Sequence, residues 1–172
     1  MSNAAPRPFL GVTPDALPAA LRPWLRRFRV DFSPQTPPTT ASLIVATVVA
    51  VVGSLAVDAL LVKLGVALYP STRGYSHFQF ADYSKLTVIG VLIACAGWPV
   101  VARISSQPKW LFLRAAVLTT LVLLLPDVAI WYLGQSAQGV FVLVWMHLAI
   151  AVVTYLSLIV LAPVHGRHAR RR

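Results

Sequence analysis

Three ionisable side chains lie deep inside apolar stretches of this 172-residue sequence, at Asp58, Asp127 and His147. An ionisable group in hydrocarbon is costly, so it normally faces the interior of a helical bundle or a water-filled cavity. Two carboxyls with one imidazole are the minimum set for relaying a proton or holding a cation, because histidine titrates near neutral pH. These residues are the first candidates for chemistry in the chain.

Four long apolar runs carry these side chains, at about 41–68, 86–102, 111–133 and 139–161. Each run is close to the roughly 17–25 residues that a helix needs to cross a bilayer core of about 30 Å. The runs lack the alternation of membrane β-strands, which leaves helices as the spanning element. The predicted fold class is all-α, a polytopic membrane protein whose four-transmembrane-helix bundle occupies residues 41–161.

The three ionisable groups are predicted to lie at one depth. Counted from helix ends near 43, 111 and 161, Asp58, Asp127 and His147 lie about 22, 24 and 21 Å along their spans at 1.5 Å per residue. In a structural interpretation, a hydrogen bond joins Asp127 to His147, and Asp58 is either reached by water from the outer face or kept neutral by burial. In a functional interpretation, the three residues form a proton relay or a cation site. In a third interpretation, the polar groups face sideways and a partner subunit supplies their hydrogen-bond partners.

The charge distribution predicts the orientation in the membrane. The chain has 15 Lys and Arg against five acidic residues, all Asp, for a net charge of +10. Most basic residues precede the first span, lie between the second and third, or follow the fourth. By the positive-inside rule both termini face the cytoplasm, so we expect a multi-pass protein of the inner cell membrane with a basic cytoplasmic tail at 162–172. This placement favours anionic lipid headgroups over nucleic acid as the charged partner.

Residues 1–40 are predicted to form a cytoplasmic region, a Pro-rich lead followed by a basic amphipathic segment. Apolar side chains recur there at helical spacing and basic side chains fill the other positions, at Leu21, Arg22, Trp24, Leu25, Arg26, Arg27, Phe28 and Arg29. One interpretation is an interfacial helix that starts near Arg22 and binds anionic lipid. The other is a polybasic topology anchor without stable helix.

The connection between the first two spans is rich in aromatic residues, and it is predicted to face outward. Its aromatic and imidazole side chains are Tyr75, His77, Phe78, Phe80 and Tyr83. Such residues typically form the aromatic belt of a membrane protein. The alternative is a docking surface for a partner, because the segment is longer than a tight turn requires.

Enzymatic motifs are not evident in the sequence. It contains no HExxH zinc motif, no nucleophile elbow and no phosphate-binding loop, and its single cysteine, Cys95, lies inside the second span. We therefore expect a protein that is not an enzyme and that has no catalytic residues, no metal and no cofactor. Gly90, Ala94 and Gly97 favour close helix packing, and Pro99 predicts a kink or an early helix end.

Short pieces of all four spans resemble a family of small four-helix actinobacterial membrane proteins of unassigned function. The pieces are the Asp58 segment, Ala96-Gly97-Trp98 leading to Arg103, the leucines before Pro126, and Trp145-Met146-His147-Leu148. The resemblance covers about residues 40–161 and lends no catalytic residue. It implies an association with larger assemblies, of which Mce-type lipid importers of the mycobacterial envelope are the example.

Two functions are consistent with these features. The leading hypothesis is a non-catalytic accessory or stabilising subunit of a larger cell-membrane complex, plausibly an Mce-type lipid transporter, which contacts a permease and anionic lipid. The alternative is a small homo-oligomeric transporter or channel that uses Asp58, Asp127 and His147.

Overall fold

The structure is a computed structural model that describes residues 17–30, 32 and 35–165. Within these residues five α-helices follow one another: α1 (Arg22–Arg27), α2 (Thr40–Leu68), α3 (Phe80–Ile104), α4 (Pro108–Tyr132) and α5 (Ala137–Leu161). Helices α2 to α5 are long and apolar enough to cross a membrane. The predicted all-α bundle of four spanning helices is confirmed, while the Pro-rich lead and most of the basic tail lie outside the described residues.

The helix ends follow local chemistry more closely than hydropathy. The side chain of Thr39 caps α2 by accepting from the Ser42 amide, and that of Ser136 caps α5 by accepting from the Gly139 amide. Helix α3 begins at Phe80, six residues before the predicted start at 86. Its polar first turns interrupt the apolar run but not the helix, and the acidic Asp82 suits a helix N-terminus.

Two helix boundaries differ from prediction because proline has different effects at different positions. Helix α3 continues through Pro99 to Ile104, so the early helix end expected there does not occur. Helix α4 starts at Pro108, three residues before 111, because proline is favoured in the first turn of a helix, where its missing N–H is not needed.

The spanning helices alternate in direction, which gives the bundle two ends. We call the end with Thr40, Ile104, Pro108 and Leu161 the terminal side, and the opposite end the loop side. Helices α2 and α5 run antiparallel and form the most extensive contact. A Cβ atom built on Gly53 would lie 3.0 Å from Val153, and one on Gly65 would lie 2.7 Å from Val142. Residue 58 is therefore level with residues 148–149.

Two apolar cores fill the interior, one toward each end. The terminal-side core consists of Ala46, Ala50, Val91, Cys95, Trp98, Phe112, Leu158 and Ala162. The loop-side core consists of Phe78, Val142, Leu143 and Met146. Since α2 contributes residues 46 and 50 to the first core and residues 61, 62 and 66 to the edge of the second, the segment around Asp58 lies between them.

The α2–α5 contact should respond strongly to side-chain bulk at Gly65. We expect Gly65→Leu to destabilise the bundle by about 1–3 kcal/mol, because the new side chain meets Val142 in a close-packed seam. The matched control is Gly90→Leu, since a Cβ there has no neighbour within 4 Å. Thermal unfolding in mild detergent should show a lower midpoint for the first variant alone, and equal midpoints would contradict this seam.

Candidate functional site

The carboxyl of Asp58 is fully buried and only half satisfied. The Thr87 hydroxyl of α3 donates to its Oδ2 at 2.8 Å, which joins α2 to α3. The other oxygen, Oδ1, is buried and has no hydrogen-bond partner among the described residues. A buried oxygen without a partner carries a desolvation cost of about 1–3 kcal/mol, and more when it is charged. This atom is therefore an open position for a proton, a cation or water.

His147 and Asp127 lie in contact across the α4–α5 interface. The imidazole Nδ1 is 3.0 Å from Asp127 Oδ2 and 3.0 Å from the Leu143 carbonyl oxygen. The carbonyl can only accept, so this bond needs the proton on Nδ1 and leaves Nε2 as the nitrogen that gains and loses a proton. The N–H is directed at the carbonyl, and Asp127 Oδ2 is a close ionic contact that lacks a well-directed hydrogen bond.

The three predicted residues lie near one another within the bundle, with both carboxyls buried and the His147 side chain 27% exposed. Asp58 is level with residues 148–149 of α5, and it interacts electrostatically with His147. Asp127 contacts the same imidazole from α4. We call Asp58, Asp127 and His147, with Thr87, the buried polar cluster. The cluster joins all four spanning helices, which the depth comparison alone did not require.

Further polar side chains continue from the cluster toward the terminal side. Ser54 lies one turn below Asp58 on α2, Thr154 faces the interior from α5 at nearly the same level, and Ser157 is also buried. The hydroxyls of Ser54 and Thr154 are buried and without a hydrogen-bond partner among the described residues. A row of unpartnered hydroxyls next to an acidic cluster is the arrangement that buried water molecules bridge.

Tyr75 closes the cluster from the loop side. A Cβ atom on Gly139 would lie 2.9 Å from its ring, which also packs edge-on against Phe78 at a centroid distance of 5.1 Å. The Tyr75 hydroxyl is buried and has no hydrogen-bond partner in the described part of the chain. Burial raises the pKa of this phenol, and the charge of Asp127 raises the pKa further. The phenol thus lies within electrostatic reach of the cluster.

The aromatic connection is not a single exposed surface. Phe78 is buried in the loop-side core and Tyr75 packs inward, whereas Phe80 is 61% exposed. His77 and Tyr83 are half-buried. In this conformation Phe80, with the exposed edges of His77 and Tyr83, is the part of the predicted docking set that a partner can reach.

The position of Tyr75 leads to a prediction about titration. Its ionisation should require a higher pH than that of an ordinary tyrosine, and Asp127→Asn should lower the Tyr75 pKa by removing the repulsion between two negative charges. The measurement is an ultraviolet titration of the purified protein, from which the titration of Tyr75→Phe is subtracted. A Tyr75 pKa that Asp127→Asn leaves unchanged would place the two groups apart.

The basic amphipathic segment lies beside the terminal side of the bundle. Helix α1 begins at Arg22 with Pro23 in its first turn, as the sequence pattern predicts for an interfacial helix. Leu21, Leu25 and Phe28 line a groove against α3 and α4. Trp24 also lines it and remains 62% exposed. The side chains of Arg26, Arg27 and Arg29 are exposed.

No protein-family model, curated protein or solved structure matches this chain. Within the described ranges, no group of three or more His, Cys, Asp or Glu side chains is arranged to hold a metal ion. The arrangement instead combines a carboxyl that has one open oxygen, a histidine–carboxylate contact and a row of hydroxyls. Such groups bind and pass protons.

The sequence pattern did not predict four further residues of the site, Thr87, Ser54, Thr154 and Tyr75. The depth comparison that grouped the ionisable residues also finds Thr87, which lies 17 residues from the terminal end of α3, or about 26 Å. Ser54 precedes Asp58 by four residues and so shares its helix face. Tyr75 had no such signal, because its position depends on how the loop folds back over Gly139.

Proposed function

We propose that this protein is a small membrane transporter that exchanges a proton through the buried polar cluster. The single observation that supports this most strongly is the convergence of Asp58, Asp127 and His147, in which the buried Asp58 Oδ1 has no hydrogen-bond partner among the described residues. A cluster with a purely structural role would be expected to satisfy its oxygens internally, because unpaired polar atoms are costly in an apolar interior.

On this proposal, the cluster exchanges one proton at a time. A cluster of one ionised carboxyl, one imidazolium and one protonated carboxyl has no net charge. Loss of one proton leaves one net negative charge between two apolar cores, where an uncompensated ion is costly. The cluster therefore favours prompt return of a proton, or its replacement by a monovalent cation. This is the behaviour of a carrier site that alternates between two charge states.

The described conformation is closed at both ends. The terminal-side core lies below the cluster, and Tyr75 with Phe78 covers it from the loop side. Movement of α4 is the simplest way to open it. Pro126 precedes Asp127 and lacks the N–H that the Val122 carbonyl would accept, which weakens the helix one turn from the contact with His147.

Reconstitution into liposomes tests this proposal. Vesicles that contain the purified wild-type chain and an internal pH-sensitive dye are given a potassium gradient, and valinomycin sets the membrane potential. We expect proton entry well above that of protein-free vesicles. Entry at the protein-free rate, with inserted and folded protein, would refute the proposal.

A second candidate function is the accessory subunit of a larger complex in the inner cell membrane. The supporting observation is the face of α3 that carries Gly90 and Gly97, where an added Cβ would have no neighbour within 4 Å, so the close packing predicted for these glycines does not occur within the described bundle. Small residues allow a neighbouring helix to approach closely. On this proposal, the open face receives a helix of a partner permease, and an Mce-type lipid importer is the first complex to examine.

Affinity purification from the native membrane tests the accessory role. Partner subunits should co-purify with the wild-type chain in fixed stoichiometry, and Gly90→Leu should release them because its side chain occupies the open face. Leu92→Ile, a nearby substitution at an exposed apolar position, is the control. Recovery of the chain alone, in mild detergent and at native expression, would count against this role.

A further inference from the structure

The end of α1 fixes the amphipathic segment beside the terminal side of the bundle, against the α3–α4 connection. The amides of Val30 and Arg29 bond to the carbonyls of Leu25 and Arg26 at 2.9 and 3.1 Å, which is the Schellman pattern of a helix C-terminus. Arg29 takes the left-handed conformation there, with φ 53°, where glycine is usual. The chain then turns back along the end of α3.

Backbone pairing fixes this return. Val30 forms an antiparallel bridge with Ser105, the Phe32 amide bonds to the Ile104 carbonyl, and the Gln35 amide bonds to the Ala102 carbonyl. The Ser105 hydroxyl donates to the Arg29 carbonyl at 2.8 Å. The left-handed residue is therefore held from both sides, and the angle between α1 and the spanning helices is defined.

An apolar groove of about 350 Å³ lies between α1 and the terminal ends of α3 and α4. All of its lining residues are apolar, including Leu25 and Phe28 from the amphipathic segment, Val101 from α3, and Leu111 and Ala115 from α4. Since α3 and α4 are spanning helices, the groove lies where the acyl chains of one leaflet meet its headgroups.

Two guanidinium groups lie near the same indole ring, that of Trp110, beside the groove. The guanidinium of Arg114 lies 3.5 Å from the ring centre of Trp110, and that of Arg29 lies 5.9 Å from the same ring. Arg114 also donates to the Arg27 carbonyl at 3.1 Å. Residues 17–36 and 101–116 contain seven basic residues and one acidic residue, Asp31. Two cations so placed repel each other, and an anion beside both of them relieves that repulsion.

We propose that this groove binds one anionic phospholipid, with an acyl chain along Leu25, Val101 and Leu111 and the phosphate at Arg29 and Arg114. The apolar lining matches the chain, and the paired guanidiniums match the headgroup. The site fastens the amphipathic segment to the leaflet on the terminal side. The inference is independent of proton exchange, because no residue of the groove belongs to the buried polar cluster.

Native mass spectrometry from nanodiscs tests the headgroup contact. The full chain is released from nanodiscs that contain equal amounts of phosphatidylglycerol and phosphatidylcholine. We expect one retained phosphatidylglycerol per wild-type chain. The double variant Arg29→Asn with Arg114→Gln should reduce retention roughly thirtyfold, because two arginine contacts are lost and asparagine still tolerates the left-handed position. The control is Arg73→Asn with Lys85→Gln, which removes the same charge at exposed loop-side positions.

A second pair of variants tests the groove itself. Ala115→Trp places an indole in the groove and should displace the lipid, whereas Thr119→Trp, one turn along the exposed face of α4, should not. Three results would overturn the proposal: equal loss in the charge variant and its control, equal retention of both lipids, or full retention in Ala115→Trp. A lipid-free dimer would also overturn it and assign the groove to a second copy of the chain.

Discussion

Replacing Trp98 with alanine should destabilise the bundle by about 3–5 kcal/mol, the range for deleting a large buried aromatic side chain. Trp98 is fully buried at the centre of the terminal-side core and packs against Phe112 with the ring centres 5.1 Å apart. Its indole N–H donates to the Ala162 carbonyl at 2.8 Å, which fastens the end of α5 to α3. The variant loses this packing and leaves a buried carbonyl unpaired.

A matched substitution separates burial from residue type. Trp145→Ala deletes the same side chain from a position that is 50% exposed on α5, where its aromatic neighbour is Phe141 at a centroid distance of 6.2 Å. We expect a loss of about 1 kcal/mol there. Equilibrium unfolding in mixed micelles gives both values. Similar losses in the two variants would show that Trp98 does not organise the terminal-side core.

Asp58→Asn should abolish proton transport while the bundle remains folded. The asparagine amide keeps an oxygen that can accept from the Thr87 hydroxyl, so we expect a stability change within about 1 kcal/mol. It cannot gain or lose a proton at neutral pH, so proton entry into liposomes should fall on the order of a hundredfold or more, the scale of losing an acid–base group. The unfolding midpoint and the dye signal are measured on one preparation.

The control for this variant is Asp82→Asn, which makes the same chemical change at an exposed position in the first turn of α3. Its proton entry should equal that of the wild type. If Asp58→Asn transported protons at the wild-type rate, Asp58 would be a structural hydrogen-bond acceptor and the proton path would lie elsewhere. If it failed to fold, the hydrogen bond with Thr87 would be more important to the bundle than to transport.

Hydropathy predicted the spanning helices because each apolar run has about the length that a helix needs to cross the bilayer core. Hydropathy did not predict the start of α3, since Asp82 and Lys85 interrupt the apolar run while the helix continues through them. Helix ends in the interfacial region tolerate polar residues. A prediction from composition alone therefore makes such a helix too short.

The candidate site was partly accessible from the sequence. Depth along each span grouped Asp58, Asp127 and His147, because a straight helix converts residue number into distance. Which oxygen has no partner, and which side chain closes the cluster, depends on helix rotation and on the path of the 69–79 loop. The same holds for the pairing of Val30 with Ser105, which joins segments 75 residues apart and has no local signal.

Proton entry into liposomes, compared between wild type and Asp127→Asn in parallel preparations, tests most directly whether the buried polar cluster exchanges a proton. Asp127 contacts the imidazole and adjoins Pro126, so it belongs both to the proposed proton site and to the helix that we propose to move. We predict rapid entry for the wild type and the protein-free rate for Asp127→Asn, at equal insertion. Equal entry in the two preparations would contradict the account and leave the buried polar cluster as a contact that holds four helices together.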